Sequence, residues 1–239
     1  MRDMIQVRSL NAGYRKLQVL FDVSASFDRE KINVIAGPNG GGKSTLLKSI
    51  FGLTTIYSGS ITLDGVELVG KAPHEIARIG VAYLPQTENI FENLTVEENL
   101  RMAGYVLDRH ELEERVEGVA DLFPIIGGYW RRRARLLSGG ERQMIAMAMA
   151  LLRKPKVMLF DEPTGGLAPK IASEVLSKIV ELRDTLNMTI VLVEQNAKKA
   201  LEMGDKAYLL VGGRLVFEGQ CQELLNHPRF SSLYLGISG

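Results

Sequence analysis

Ile32-Asn33-Val34-Ile35-Ala36-Gly37-Pro38-Asn39-Gly40-Gly41-Gly42-Lys43-Ser44-Thr45-Leu46-Leu47 is the stretch that decides how this chain folds. An apolar, strand-like run enters a glycine-rich loop and leaves it into a helix starting near Lys43. Glycines at 37, 40, 41 and 42 permit positive φ and close backbone approach, so several N–H groups can aim at one anion. The stretch Gly37-Pro38-Asn39-Gly40-Gly41-Gly42-Lys43-Ser44-Thr45 as a whole therefore reads as a phosphate cradle. The helix adds its positive dipole end, Lys43 adds a full charge for β and γ phosphates, and the Ser44 hydroxyl is placed to bind Mg²⁺. Strand, loop and helix arrive in the order that distinguishes a nucleotide site from a chance glycine-rich match.

Outward from the cradle, bulk properties set limits. With 239 residues, 46% of them hydrophobic, the chain can bury a large core. Its formal charge of +1 gives no global field toward nucleic acid or anionic lipid, so such a partner would need a local patch. Arg131-Arg132-Arg133-Ala134-Arg135, after Trp130, is the only strongly basic cluster and reads as a solvated face. Cys221 alone excludes an internal disulfide framework and a thiolate metal cluster, and fits a reducing compartment. No apolar run approaches the roughly 18 residues of a membrane span, and no secretory leader is visible, so service to a membrane is expected from its surface.

The periodicity changes along the chain. Met4–Ala12, Leu17–Val23 and Gly59–Leu63 read as strands, with Asp64-Gly65 closing a turn. From Thr95 to Phe123 apolar residues fall at helical spacing among many charges, and Thr95 with Glu98 makes a capping box. Buried-strand runs at Val157–Phe160, Thr189–Val193 and Ala207–Val211 then alternate with helical stretches near 141–153, 170–186 and 197–203. Gly212-Gly213 joins Ala207–Val211 to Arg214–Glu218 as a hairpin, and the chain from Cys221 reads as short helices broken at Pro228. The expectation is an α/β core, with a strand-rich opening third and an α-helical insert. The helix of Met144, Met147 and Met149 reads as core packing.

Two further segments carry chemistry. Val157–Phe160 runs into Asp161-Glu162-Pro163, placing two carboxylates at the carboxyl edge of a sheet, where open α/β proteins bind ligands. Asp161 can hold Mg²⁺ directly or through water, and Glu162 can polarise a water in line with the γ phosphorus. In isolation the same residues would read as a solvated turn. Leu137-Ser138-Gly139-Gly140-Glu141 begins an apolar helix with a second capping box, Ser138 with Glu141. Read structurally it is only a well-capped helix; read functionally its two glycines make a second anion site, and since one nucleotide does not need two from the same chain, the second would serve a neighbour's nucleotide.

With that segment the chain resembles the nucleotide-binding subunit of the ATP-binding cassette (ABC) transporter family, whose signature is Leu-Ser-Gly-Gly. The resemblance implies a P-loop NTPase core, a mixed sheet flanked by helices, with an N-terminal antiparallel β subdomain and an inserted α-helical subdomain. It makes residues 1–239 a single nucleotide-binding domain, the core about 1–86 and 156–239 and the helical subdomain about 87–155. It implies ATP and Mg²⁺ as cofactors. Tyr14 matches the aromatic that stacks on adenine. Gln86, in Tyr83-Leu84-Pro85-Gln86, matches the glutamine that touches Mg²⁺ and the attacking water, and Gly165-Gly166-Leu167-Ala168 matches a loop sensing the neighbouring subunit. Two subunits would clamp two ATP molecules head to tail, each held by one cradle and by Ser138, Gly139 and Gly140 of the other. The implied partners are therefore a second such ATPase, identical or a sibling, and separate integral membrane permeases, at the cytoplasmic face of the membrane. No nucleic acid is expected.

One position departs from the pattern. Most members carry a histidine against the γ phosphate, whereas this chain reads Val193-Glu194-Gln195-Asn196. Gln195 can donate a hydrogen bond but cannot hold a proton near neutral pH. Either it still positions the γ phosphate, or a partner subunit carries the faster site. His74, His110 and His227 read as surface or helix-end residues. Val-Glu-Gln-Asn, the segment ending at Pro169, and Tyr234-Leu235-Gly236 resemble ATPases of branched-chain amino acid importers. Gln86 with Ile90-Phe91 resembles lipopolysaccharide-export ATPases instead, although these should keep the missing histidine. A soluble cassette acting on ribosomes or DNA would carry two cassettes or a long insert, and a P-loop kinase would lack the Ser138–Glu141 segment.

Overall fold

The computed structural model describes residues 3–87 and 89–227. The elements in order are β1 (Asp3–Tyr14), β2 (Leu17–Asp28), β3 (Ile32–Ala36), α1 (Lys43–Ile50), β4 (Thr55–Leu63), β5 (Val66–Glu67), α2 (Pro73–Ile79) and β6 (Val81–Leu84). A helical stretch follows: α3 (Val96–Ala103), α4 (Arg109–Leu122), α5 (Ile125–Tyr129), a 3₁₀ turn (Ala134–Leu136) and α6 (Gly139–Leu151). The chain then returns through β7 (Val157–Asp161), α7 (Pro169–Leu186), β8 (Thr189–Val193), α8 (Ala197–Met203), β9 (Lys206–Val211), β10 (Arg214–Gln220) and α9 (Cys221–Leu225).

Two sheets form. One is antiparallel, in the order β2-β1-β4-β5; the other runs β10-β9-β3-β8-β7-β6 and is parallel except for β10 against β9. The central strands are buried on both faces, and their two-residue side-chain period divides them between two cores. Ile32 and Val34, Met158 and Phe160, and Ile190 and Leu192 face α3 to α8. Ile35, Val157, Leu159, Val191 and Val193 face α1 and the antiparallel sheet. Each such aliphatic side chain contributes about 1.5–3 kcal/mol by leaving water, which is why these runs are uninterrupted by charge.

The strands are longer than periodicity indicated. β1 extends through Tyr14 and β2 to Asp28, because register shifts along their pairing hide the two-residue alternation. Two helices divide the region 95–123: α3 stops at Gly104, and Asp108 starts α4 by accepting from Glu111 N. A Cβ at Gly104 would lie 2.4 Å from Leu112 Cδ1, so glycine lets the two helices meet. α6 begins at Gly139, two residues earlier than the pattern suggested, because Ser138 is its cap. α2 escaped the sequence reading; its start is marked by Pro73 and by Glu75 Oε2 accepting from Ala72 N at 2.7 Å. Asp64 and Gly65 have φ of 51° and 80°, and Gly212 and Gly213 54° and 74°, the mirror-image turn geometry that suits two-residue hairpins. The break read at Pro228 lies outside the described residues.

One buried polar side chain ties the sheets together. Asn33, with no exposed surface, accepts from Asp28 N at 2.9 Å and donates to Asp28 O, Lys31 O and Ile190 O at 3.0–3.2 Å. Asn33→Leu would strand those groups without partners, a loss of about 2–3 kcal/mol. The expected fall in melting midpoint is roughly 5–10 °C. An unmoved midpoint would show that the network contributes nothing.

Candidate functional site

The carboxyl ends of β3, β7 and β8 supply the loops around one cavity of about 330 Å³, lined by Asn39–Thr45, Glu162, Gln195 and Val19. Gly37 leaves β3 at φ 146°, and a Cβ there would stand 2.0 Å from Leu210 O, so only glycine lets the loop pass β9. Gly40, at φ 75°, has nothing within 4 Å of its missing Cβ, which leaves the loop open to the cavity. The β9–β10 turn pins the loop, since Gly213 N donates to Gly41 O at 3.0 Å. Gly42 adopts the left-handed conformation at the start of α1, whose first N–H groups face the cavity side.

Lys43 is almost fully buried and curls back, its Nζ donating to Gly37 O at 2.9 Å and Pro38 O at 3.0 Å. Burial lowers its pKa, opposed by the fields of Glu162 and Asp161. Ser44 Oγ donates to Asp161 Oδ1 at 2.7 Å, and Tyr83 Oη donates to Asp161 Oδ2 at 3.0 Å. Burial and the Asp161 charge push the Tyr83 phenol upward, so it stays a donor. Gln86 Nε2 donates to Glu162 Oε2 at 3.2 Å. Tyr14, partly exposed at the end of β1, approaches Thr45 Oγ1 at 3.5 Å.

The structure thus joins the cradle, Asp161, Glu162, Gln86 and Gln195, with Tyr14 at the margin. It sets Ser138, Gly139 and Gly140 elsewhere, in a cavity of about 830 Å³ shared with Gln86 and Gly165–Ala168. Ser138 N donates to Glu141 Oε2 at 2.6 Å and Glu141 N to Ser138 Oγ at 3.3 Å, the capping box read from the sequence. Cβ atoms on Gly139 and Gly140 would meet Leu167 at 2.6 Å and Ile171 at 2.2 Å, so both glycines fit the start of α7. His74 and His110 are exposed, His227 follows α9, and none of the three lines the phosphate cavity. Arg131, Arg132, Arg133 and Arg135 are exposed, and Met147 is packed in the core with Met144 and Met149 against it.

The residues fit Mg²⁺. Among the described residues no three His, Cys, Asp or Glu side chains converge on one point. Ser44 and Asp161 form instead a hydroxyl–carboxylate pair beside the cradle, the sparse oxygen set with which Mg²⁺ is held when phosphates complete its shell.

Three features were not read from the sequence. Glu162 has φ 51°, a left-handed backbone uncommon for a non-glycine residue. Glu194 is 2% exposed, accepting from Thr164 N at 3.0 Å, Thr164 Oγ1 at 2.9 Å and Gln195 N at 3.2 Å. Burial raises its pKa while those three bonds oppose the shift. The third is the Tyr83–Asp161 bond. A charge directly after the apolar run Ile190–Val193 was the available signal for Glu194; for Tyr83 there was none.

Comparison with known proteins agrees with this geometry. Residues 20–165 match the family model described as ABC transporter. The probable branched-chain amino acid transport ATP-binding protein LivF of Archaeoglobus fulgidus is 52% identical, over 98% of this chain and 99% of its own. The high-affinity branched-chain amino acid transport ATP-binding protein BraG of Pseudomonas aeruginosa is 41% identical, over 98% and 100%. A crystal structure of the ADP conformation of MJ1267, an ATP-binding cassette of an ABC transporter, superposes with a TM-score of 0.87 at 24% identity, over 99% of this chain and 100% of that one. The chain belongs to the ABC transporter family. It is an ATP-binding, ATP-hydrolysing cassette on a P-loop NTPase core.

The packing around Gly37 is directly testable. Gly37→Ala, which drives a methyl into Leu210 O, is expected to lose most nucleotide binding by titration. Gly65→Ala, with similarly positive φ but open space around it, should keep binding and lose only about 1–2 kcal/mol in a melt. Normal binding by Gly37→Ala would refute the packing argument.

Proposed function

We propose that this chain drives the import of branched-chain or other hydrophobic amino acids, hydrolysing ATP beneath separate permease subunits at the cytoplasmic face of the membrane. The convergence of Lys43, the Ser44–Asp161 pair and the Gln86–Glu162 pair on one loop cluster carries the catalytic reading. The names of the two curated relatives support the amino-acid substrate. The lipopolysaccharide-export resemblance rests on a shorter segment and lacks its histidine. Among the described residues no helix is long and apolar enough to cross a membrane, and separate permease chains accommodate that fact.

In this reading the N–H groups of Gly37 and Asn39–Thr45 and the Lys43 ammonium hold the β and γ phosphates, with Tyr14 stacked on adenine. Ser44 and Asp161, with Gln86, would hold Mg²⁺, which would neutralise charge developing on the phosphates. Glu162 takes the proton of the attacking water. Its Oε2 already accepts from Gln86, which orients the carboxylate and leaves Oε1 for the water. Gln195 donates its amide to the γ phosphate and moves no proton. The products are ADP and phosphate, and opening of the site releases them.

The second anion site belongs to a neighbour's nucleotide. Ser138, Gly139 and Gly140 line a different cavity from the cradle, so a head-to-tail pair of cassettes would bring one chain's signature onto the other's phosphates. The helical segment 87–155 is read as the subdomain that carries this signature against the core.

Two variants divide binding from chemistry. Glu162→Gln should bind ATP normally and turn over roughly 10²–10⁴ times more slowly, the span of a general base. Lys43→Ala should lose nucleotide affinity. Wild-type turnover in the first, or unaltered ATP binding in the second, would remove that residue from its role.

A further inference from the structure

We infer that Glu194 is a positioning residue: its carboxylate fastens the loop after β8, which carries Gln195, to the turn after β7, which carries Glu162. The inference rests on the catalytic reading of Glu162 given above.

Glu194 directly follows β8, a strand of five buried residues of which four are apolar, and remains almost entirely out of water itself. A carboxylate buried without partners is strongly disfavoured, and one is retained only where hydrogen bonds or a cation compensate. Among the described residues no ion pair involves Glu194. All of its compensation comes from three donors. Oε1 takes Thr164 N, while Oε2 takes Thr164 Oγ1 and Gln195 N. One side chain therefore grips two neighbouring loops at the backbone, those that follow the paired strands β7 and β8.

The turn it grips needs holding. Glu162 sits at φ 51°, a conformation that persists only when its surroundings over-determine it. On its N-terminal side the backbone is fixed by Glu162 N donating to Val193 O at 2.9 Å, and the turn closes with Gly165 N donating to Glu162 O at 3.0 Å. Thr164 lies inside that turn. Its N–H and hydroxyl are anchored by Glu194, so the direction of the Glu162 side chain depends on the carboxylate at the end of the adjacent strand. Only a carboxylate suits the three donors: an amide has one acceptor oxygen, and its NH₂ would face another donor. Glu194 itself does not line the phosphate cavity, so its effect is exerted through its neighbours.

The test is steady-state ATP hydrolysis by the full-length chain carrying Glu194→Gln, Thr164→Val, both together, or Glu162→Gln. Each variant is first shown to melt cooperatively. Glu194→Gln should lower kcat by about 10–100-fold, the cost of slight misplacement of a catalytic group, with KM for ATP within about twofold of wild type. Thr164→Val should fall in the same direction, and Thr164→Ser, which keeps the hydroxyl, should recover most of that loss. The double variant should lose less than the product of the two single losses, since both break one hydrogen bond. Wild-type kcat in Glu194→Gln, where Glu162→Gln is slowed by roughly 10²–10⁴, overturns the positioning role and leaves the base intact. A rise in KM matching the fall in kcat, or fully multiplicative losses, also overturns it. Wild-type turnover in Glu162→Gln instead sinks the catalytic reading itself.

Discussion

The cradle, both carboxylates and the Gln195 loop around the phosphate cavity hang from the carboxyl ends of strands in one parallel stack. The hydrogen-bonded register of β3 with β8, β8 with β7 and β7 with β6 is therefore the constraint on which the rest depends. Ile35 opposite Val193 and Asp161 opposite Val193 bring three strand ends level, so the cradle, the two carboxylates and the Gln195 loop emerge at one edge. Parallel strands must be joined by crossovers, and here those crossovers supply the helices of one face and α1 on the other, where the antiparallel sheet completes the cover. A one-residue slip of β7 would turn Asp161 inward and exchange the sides on which Leu159 and Phe160 are buried. The apolar packing thus enforces the chemistry without touching it.

At that edge the electrostatics are arranged in linked pairs. Lys43 is held by two backbone carbonyls, Asp161 by the hydroxyls of Ser44 and Tyr83, Glu162 by Gln86, and Glu194 by Thr164 and Gln195. Each bond fixes a side chain that free rotation would otherwise blur, and each leaves capacity for a further partner. A phosphate entering the cradle can exchange the carbonyl contacts of Lys43 for stronger charge-assisted ones. Preorganisation of this kind makes the site costly to assemble once, during folding, and cheap to use at every turnover.

Much of this was legible in the sequence wherever the cause is local. The glycine loop, the capping boxes at Thr95–Glu98 and Ser138–Glu141, and the Asp64-Gly65 and Gly212-Gly213 turns are written in neighbouring residues, and they form as read. The apolar runs of β7, β8 and β9 likewise show their burial directly. What stayed hidden depends on distant partners. Tyr83 meets Asp161 across 78 positions, and Glu194 meets Thr164 across 30, so no spacing announces either bond. β1 and β2 outran their apparent ends because register shifts scramble alternation, and the left-handed Glu162 is set by the sheet edge around it rather than by its own type.

The signature segment lies in a different cavity from the cradle, so within one chain the phosphate site is built from one side only. A second cassette is proposed to complete it, with ATP held between the two. Light scattering on the Glu162→Gln form, alone and mixed with a sibling cassette, tests this most directly: adding ATP should double the measured mass, and removing ATP should restore the monomer. A mass that stays at one chain with ATP in every mixture would contradict the claim.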